Sequence, residues 1–216
     1  MGVKRVTEQT AAQKIVMHSW KAISPSPLER VGEISSAFIN LGIRDFRSAA
    51  RFVNGLPYGR NTSTADPMAV FVERRGTCST KHALLRRLAI EQNLGIELAL
   101  GIYLMTARNT PGVGDTLARH GLNALPEAHC YLRLGDKRVD VTRVTEPSAS
   151  KGISQFLHEE IISPDQIGEY KVSVHRRFLQ QWMASLDPKI SYTLNEIRCV
   201  REECIAALTQ DHSPVI

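Results

Sequence analysis

Arg74-Arg75-Gly76-Thr77-Cys78-Ser79-Thr80-Lys81-His82-Ala83-Leu84-Leu85 carries a glycine turn straight into a cysteine at the head of an apolar helix. Gly76-Thr77 allows a tight entry, and Thr77 has the hydroxyl of an N-cap. Leu84, Leu85, Leu88 and Ala89 make the buried stripe of a helix predicted over 78–92, and Asn93-Leu94-Gly95 ends it. Cys78 then lies in the first turn, where unpaired N–H groups and the helix dipole favour an anion and thiol pKa values fall. The same N–H groups are placed to steady the oxyanion of a tetrahedral intermediate. Taken alone, Cys78 is read equally well as a small buried apolar residue.

A hairpin downstream shifts that balance. Residues 128–134 and 137–142 read as two strands around Gly135-Asp136, a two-residue turn with glycine first. Facing residues then sum to 271, which puts Asp140 opposite Tyr131 and His129 opposite Thr142. His129 and Asp140 become diagonal neighbours on one face, with Cβ atoms roughly 7 Å apart. An imidazole and a carboxylate bridge that gap; the acid orients the ring and leaves its other nitrogen for Cys78. Asp136, the rival carboxylate, sits at the turn, about 20 Å along the strand from His129. His82, four residues after Cys78, shares its helical face and is the rival base, though poorly placed to shuttle protons to a substrate. His120 falls in a loop. Tyr58 and Asn61, in a Gly- and Pro-containing loop before the nucleophile, are candidate oxyanion or substrate contacts. Glu127, beside the histidine, is open to two readings: a contact for a cationic substrate group, or a solvated side chain.

Around this centre the pattern predicts helices over 7–21, 28–40, from Asp45 as cap to about 53, and 66–73. It then predicts a core strand over 96–105, a long loop over 106–126, and helices over 173–185 and 192–208. The division expected is an N-terminal helical extension (1–44), a catalytic core (45–150) and a C-terminal helical segment packed on the core (151–216). The C-terminal helices are expected to cover the sheet, a dimer contact being the other reading.

The 216 residues are 43% hydrophobic, enough for one core. Residues 1–75 carry 11 Lys and Arg against 6 Asp and Glu, so the whole net charge of +5 lies before Cys78. No aromatic interleaving accompanies it, and a solvated helical face explains it better than a nucleic-acid partner. No apolar run is long enough for a signal peptide or a membrane span, so a cytoplasmic protein without a membrane partner is expected. Cys78, Cys130, Cys199 and Cys204 match no zinc spacing and no disulfide scaffold, so no metal and no cofactor are expected. Cys130 and Cys204 read as buried apolar residues.

The stretch 45–145 resembles the transglutaminase-like superfamily of papain-like cysteine enzymes. The phrases that carry the resemblance are Gly76-Thr77-Cys78, Asn93-Leu94-Gly95-Ile96, Ala128-His129-Cys130-Tyr131 and Asp140-Val141-Thr142. The residues after the histidine, and Lys137-Arg138-Val139 before the aspartate, depart from the usual pattern. The resemblance implies an α+β fold with a transglutaminase-like core, its nucleophile helix packed on a small antiparallel sheet, and extra N- and C-terminal helices. It implies Cys78 as nucleophile, His129 as base and Asp140 as orienting acid. The reaction expected is acyl transfer from an amide, peptide or thioester through a Cys78 thioester, with hydrolysis slightly favoured. The substrate would be a small molecule, a peptide or a carrier-bound acyl group. Amide formation in a biosynthetic pathway is the nearest alternative, and a non-catalytic binding module on the same fold is the second.

Overall fold

A computed structural model describes residues 16–143, 153, 155–186 and 191–210. Over them the chain is α+β, with seven α-helices around a mixed sheet of five strands. The strands are β1 (Met17–His18), β2 (Glu97–Met105), β3 (Leu125–Leu134), β4 (Lys137–Val139) and β5 (His158–Ile162), in the order β1-β4-β3-β2-β5. The helices are α1 (Glu33–Asn40), α2 (Phe46–Gly55), α3 (Ala69–Val72), α4 (Cys78–Glu91), α5 (Gly114–Arg119), α6 (Glu169–Ser185) and α7 (Leu194–Gln210).

Helix α4 begins at Cys78 because Thr77 and Thr80 cap it reciprocally. Gly76 must be glycine: a Cβ there would lie 2.9 Å from Lys81 Cγ and 3.0 Å from Thr80 Oγ1. The helix is buried on two sides. Leu84, Leu85 and Leu88 join Phe38, Phe46 and Val53 in one apolar cluster, while Ala83 packs on Leu98, Leu100, Ile102 and Cys130 of the sheet. Each fully buried leucine contributes about 1.5–3 kcal/mol. Asn93 closes the helix with φ +52, a left-handed conformation that asparagine tolerates. Asp45 caps α2 by accepting from Ser48 N–H at 2.9 Å, and Phe46, Ala49, Ala50 and Val53 fall on its buried face.

In the sheet, β2 pairs antiparallel with β3 from Glu97↔Arg133 to Met105↔Leu125. Gly135, with φ +56, turns the chain into β4, and the pairs Leu132↔Val139 and Leu134↔Lys137 keep the register expected of that turn. Gly101 leaves room on β2 for the Phe156 ring, which a Cβ would meet at 2.4 Å.

Several expectations need correction. The sheet is mixed, not antiparallel, because β1 runs parallel to β4. That strand falls inside the helix predicted over 7–21; Trp20–Ala22 is a single 3-10 turn, and residues 7–15 lie outside those described. Here helical spacing of apolar residues was a misleading signal, since the edge of β4 supplies Met17–His18 with backbone partners. The helix predicted from 28 begins at Glu33, since Leu28 N–H is bonded to Arg44 O instead. The loop over 106–126 contains α5, whose Leu117 is buried with Val113 and Leu122. Strand β5 has no period-2 alternation, and its pairing along β2 alone makes it a strand. Of the C-terminal helices, α6 covers the sheet and α7 packs on α5. Among the described residues, no helix is long and apolar enough to cross a membrane.

Candidate active site

Helix α4 and the hairpin are fastened to each other by two consecutive residues of α4. Lys81, fully buried, donates to Leu56 O at 2.6 Å and to Thr142 O at 2.7 Å. His82, also fully buried, donates from Nδ1 to Cys78 O at 2.7 Å and accepts Val141 N–H at Nε2, 2.9 Å away. Accepting at Nε2 requires a neutral ring, and burial holds its pKa down at about 4, against the pull of Asp140. His82 therefore clamps the segment after β4 and has no nitrogen free for proton transfer. Burial likewise brings Lys81 down to about 8.

These clamps, together with Asp140 N–H donating to His18 O of β1, fix the Asp140 carboxylate. Its Oδ2 accepts from His129 Nε2 at 2.8 Å, and its Oδ1 accepts from Thr142 N–H at 2.8 Å. Burial alone would raise this carboxyl; the charge and hydrogen bond of His129 overcome that and hold it well below the usual range. Engagement of Nε2 with Asp140 leaves Nδ1 of His129 for Cys78, and each of the two groups favours the charged form of the other. Although burial disfavours its charged form, the His129 ring is raised to about 10 by Asp140 and Cys78. Tyr103 and Tyr131 flank the ring, with centroids 6.1 Å and 6.2 Å away.

Cys78 is 7% exposed. Burial opposes ionisation of its thiol, yet its pKa falls to about 6, under the charge of Lys171, then the influence of His129 and of the Cys130 backbone. Lys171 is the residue the sequence reading missed. It projects from α6, only 9% exposed, and its Nζ lies 3.7 Å from Cys78 Sγ while donating to Ser79 Oγ at 2.7 Å. A signal existed: Lys171 stands three and four residues before Val174 and His175, in the buried stripe of α6. The predicted helix began at 173, two residues too late to include it. Cys130 sits across Ser79 with its thiol pushed up by burial to about 11, so the two neighbouring cysteines are electrostatically unlike.

A cavity of about 210 Å³ opens against Cys78. Tyr58 and Asn61 both line it, with different commitments. The Asn61 amide donates to Arg75 O and Ala69 O, and its oxygen accepts from Thr80 Oγ1, so it braces the Gly76 turn. Tyr58 lies under the Arg143 guanidinium, 4.6 Å from the ring centroid. Burial, with the charges of Cys78 and Glu127, raises its phenol, which stays protonated as a donor. Glu127 is not solvated: at 5% exposure it takes both arms of Arg201, at 2.5 and 2.8 Å. Those bonds also leave it engaged where a cationic substrate group would need it free. His120 bonds Glu203 at 2.9 Å at the end of α5, and Asp136 is at the hairpin turn.

The arrangement can hold a thiolate beside an imidazolium, with the N–H groups at the head of α4 and the Tyr58 hydroxyl to receive developing negative charge. Among the described residues, no cluster of His, Cys, Asp and Glu is suited to a metal ion. Comparisons with protein-family models, with curated proteins and with solved structures find no match to this chain.

Proposed function

We propose that this protein is a cysteine-dependent acyl-transfer enzyme of the transglutaminase-like kind. The observation that carries the reading is the bonded pair of His129 and Asp140, with the free face of the imidazole turned to a thiol of lowered pKa at a helix start. In this reading the Cys78 thiolate attacks the carbonyl carbon of an amide, a peptide or a thioester. The carbonyl electrons move onto oxygen, which the N–H groups of α4 and the Tyr58 hydroxyl receive. Collapse expels the leaving group, which takes a proton from His129, and a Cys78 thioester remains. His129, now neutral, takes a proton from water or an amine as it attacks; Cys78 then leaves as thiolate. Asp140 keeps the ring oriented throughout. The order of the Gly-Thr-Cys, His and Asp-Val-Thr phrases supports the family reading.

The test is turnover of simple acyl thioesters, followed by thiol release, with and without added primary amine. The reading expects release that is lost in Cys78→Ala and falls at least about a hundredfold in His129→Ala. Free acid as product would identify hydrolysis, the favoured outcome; amide would identify transfer. Thiol release that persists in Cys78→Ala would overturn the proposal.

A further inference from the structure

The wall of the cavity facing Cys78 is cationic. Arg60, Lys171, Arg176, Arg198 and Arg201 line it, against Glu127 and Glu202. Most of this charge is answered within the site: Arg60 pairs with Glu202, Arg201 with Glu127, and Lys171 faces Cys78 Sγ. Two cations are left over. Arg176, on α6, and Arg198, on α7, are exposed at the cavity, and among the described residues neither has an acidic partner. They come from different helices, so the fold brings together two guanidinium groups that the sequence separates. Buried apolar residues cannot account for them, and a surface with both signs interspersed would have neutralised them. A guanidinium fork matches a carboxylate or phosphate in two parallel hydrogen bonds.

Resting on the acyl-transfer reading above, we infer that the substrate carries an anionic group, a carboxylate or a phosphate, which Arg176 and Arg198 hold at the cavity while its acyl carbon lies at Cys78. A neutral or cationic acyl substrate is then disfavoured by the same field that draws in an anion.

The experiment compares alkylation of Cys78 by iodoacetate and by iodoacetamide, which share a leaving group and differ by one negative charge. The ratio of the two rates within each protein cancels any change in thiolate fraction. Going from wild type to Arg176→Ala/Arg198→Ala, the ratio of iodoacetate to iodoacetamide rates is expected to fall about tenfold. Arg177→Ala, on α6 but outside the cavity, should keep the wild-type ratio. Protection of Cys78 from iodoacetamide by succinate, by inorganic phosphate, or by both then tells a carboxylate source from a phosphate source; protection should vanish in the double variant. A ratio unchanged in the double variant overturns the inference and leaves the thiolate reading standing. Slow iodoacetamide labelling of the wild type would instead overturn the acyl-transfer reading. The cavity is then judged by calorimetric titration of Cys78→Ala: phosphate or succinate binding lost with the two arginines retains the anion site, and no binding removes it.

Discussion

Replacing Lys171 by methionine removes one charge from the site while keeping the length and apolar body of the side chain. Its Nζ is 3.7 Å from Cys78 Sγ. A unit charge pair at that separation and an effective dielectric constant near 20 is worth about 4.5 kcal/mol, or roughly three pKa units. The Cys78 thiol sits at about 6 instead of its ordinary 9.0, with burial pushing upward and Lys171 the largest influence pulling down. Loss of the ammonium should therefore return the thiol to about 8 or above, His129 and the Cys130 backbone being left to hold it down. The assay is the rate of iodoacetamide alkylation against pH. Wild type should rise through a midpoint near 6 and reach about three-quarters of its plateau at pH 6.5. The variant, with its midpoint near 8, should react about 25-fold more slowly at pH 6.5 and recover at pH 9. Unlike a paired carboxylate, the Cys78 thiol can take up a proton when the ammonium is removed, so no charge is left buried and unpaired, and recovery of the rate at pH 9 checks that the variant is folded. A variant midpoint that stays near 6 would refute the reasoning and leave His129 and the Cys130 backbone as sufficient cause.

Other perturbations test other parts of the account. Arg201→Met leaves Glu127 buried without its partner and should cost about 3–5 kcal/mol in urea unfolding, most of it recovered by adding Glu127→Leu. Gly101→Ala drives a Cβ into the Phe156 ring, which stacks on Tyr131, and should destabilise by about 1–3 kcal/mol; an unchanged midpoint of thermal unfolding would show that Phe156 moves freely. His82 supplies a pH-dependent element. Its folded pKa of about 4 lies below the ordinary 6.5, so the unfolded chain takes up the proton first. This stabilisation is full above pH 6.5 and is lost as pH falls toward 4, up to about 3 kcal/mol. His82→Gln should flatten the stability profile in that window, whereas an unaltered slope would show that His82 is not held neutral.

Parts of this site were legible because they depend on neighbours in the chain. The Gly76-Thr77-Cys78 entry is local cap chemistry, and the hairpin register follows from a two-residue turn, which by itself brings His129 and Asp140 together. Lys171 was hidden for the opposite reason. Its role depends on α6 crossing the sheet 93 positions from Cys78; the spacing to Val174 and His175 marks the lysine as inward-facing but not what it faces. Glu127 posed the same problem, since only the approach of Arg201 from α7 decides whether a carboxylate two residues before His129 is solvated or paired. The fold followed the same division. Helices α2 and α4 carry their own caps and stripes, whereas β1 and β5 exist only because β4 and β2 offer them edges.

The most direct test of the central claim is the mass of the intact protein, quenched within seconds of mixing with an acyl thioester. The account predicts a single acyl adduct that maps to Cys78, is absent in Cys78→Ser and forms slowly in His129→Ala. An adduct spread over Cys130, Cys199 and Cys204, or none at all across carboxylate-, phosphate- and uncharged-acyl donors, would contradict it.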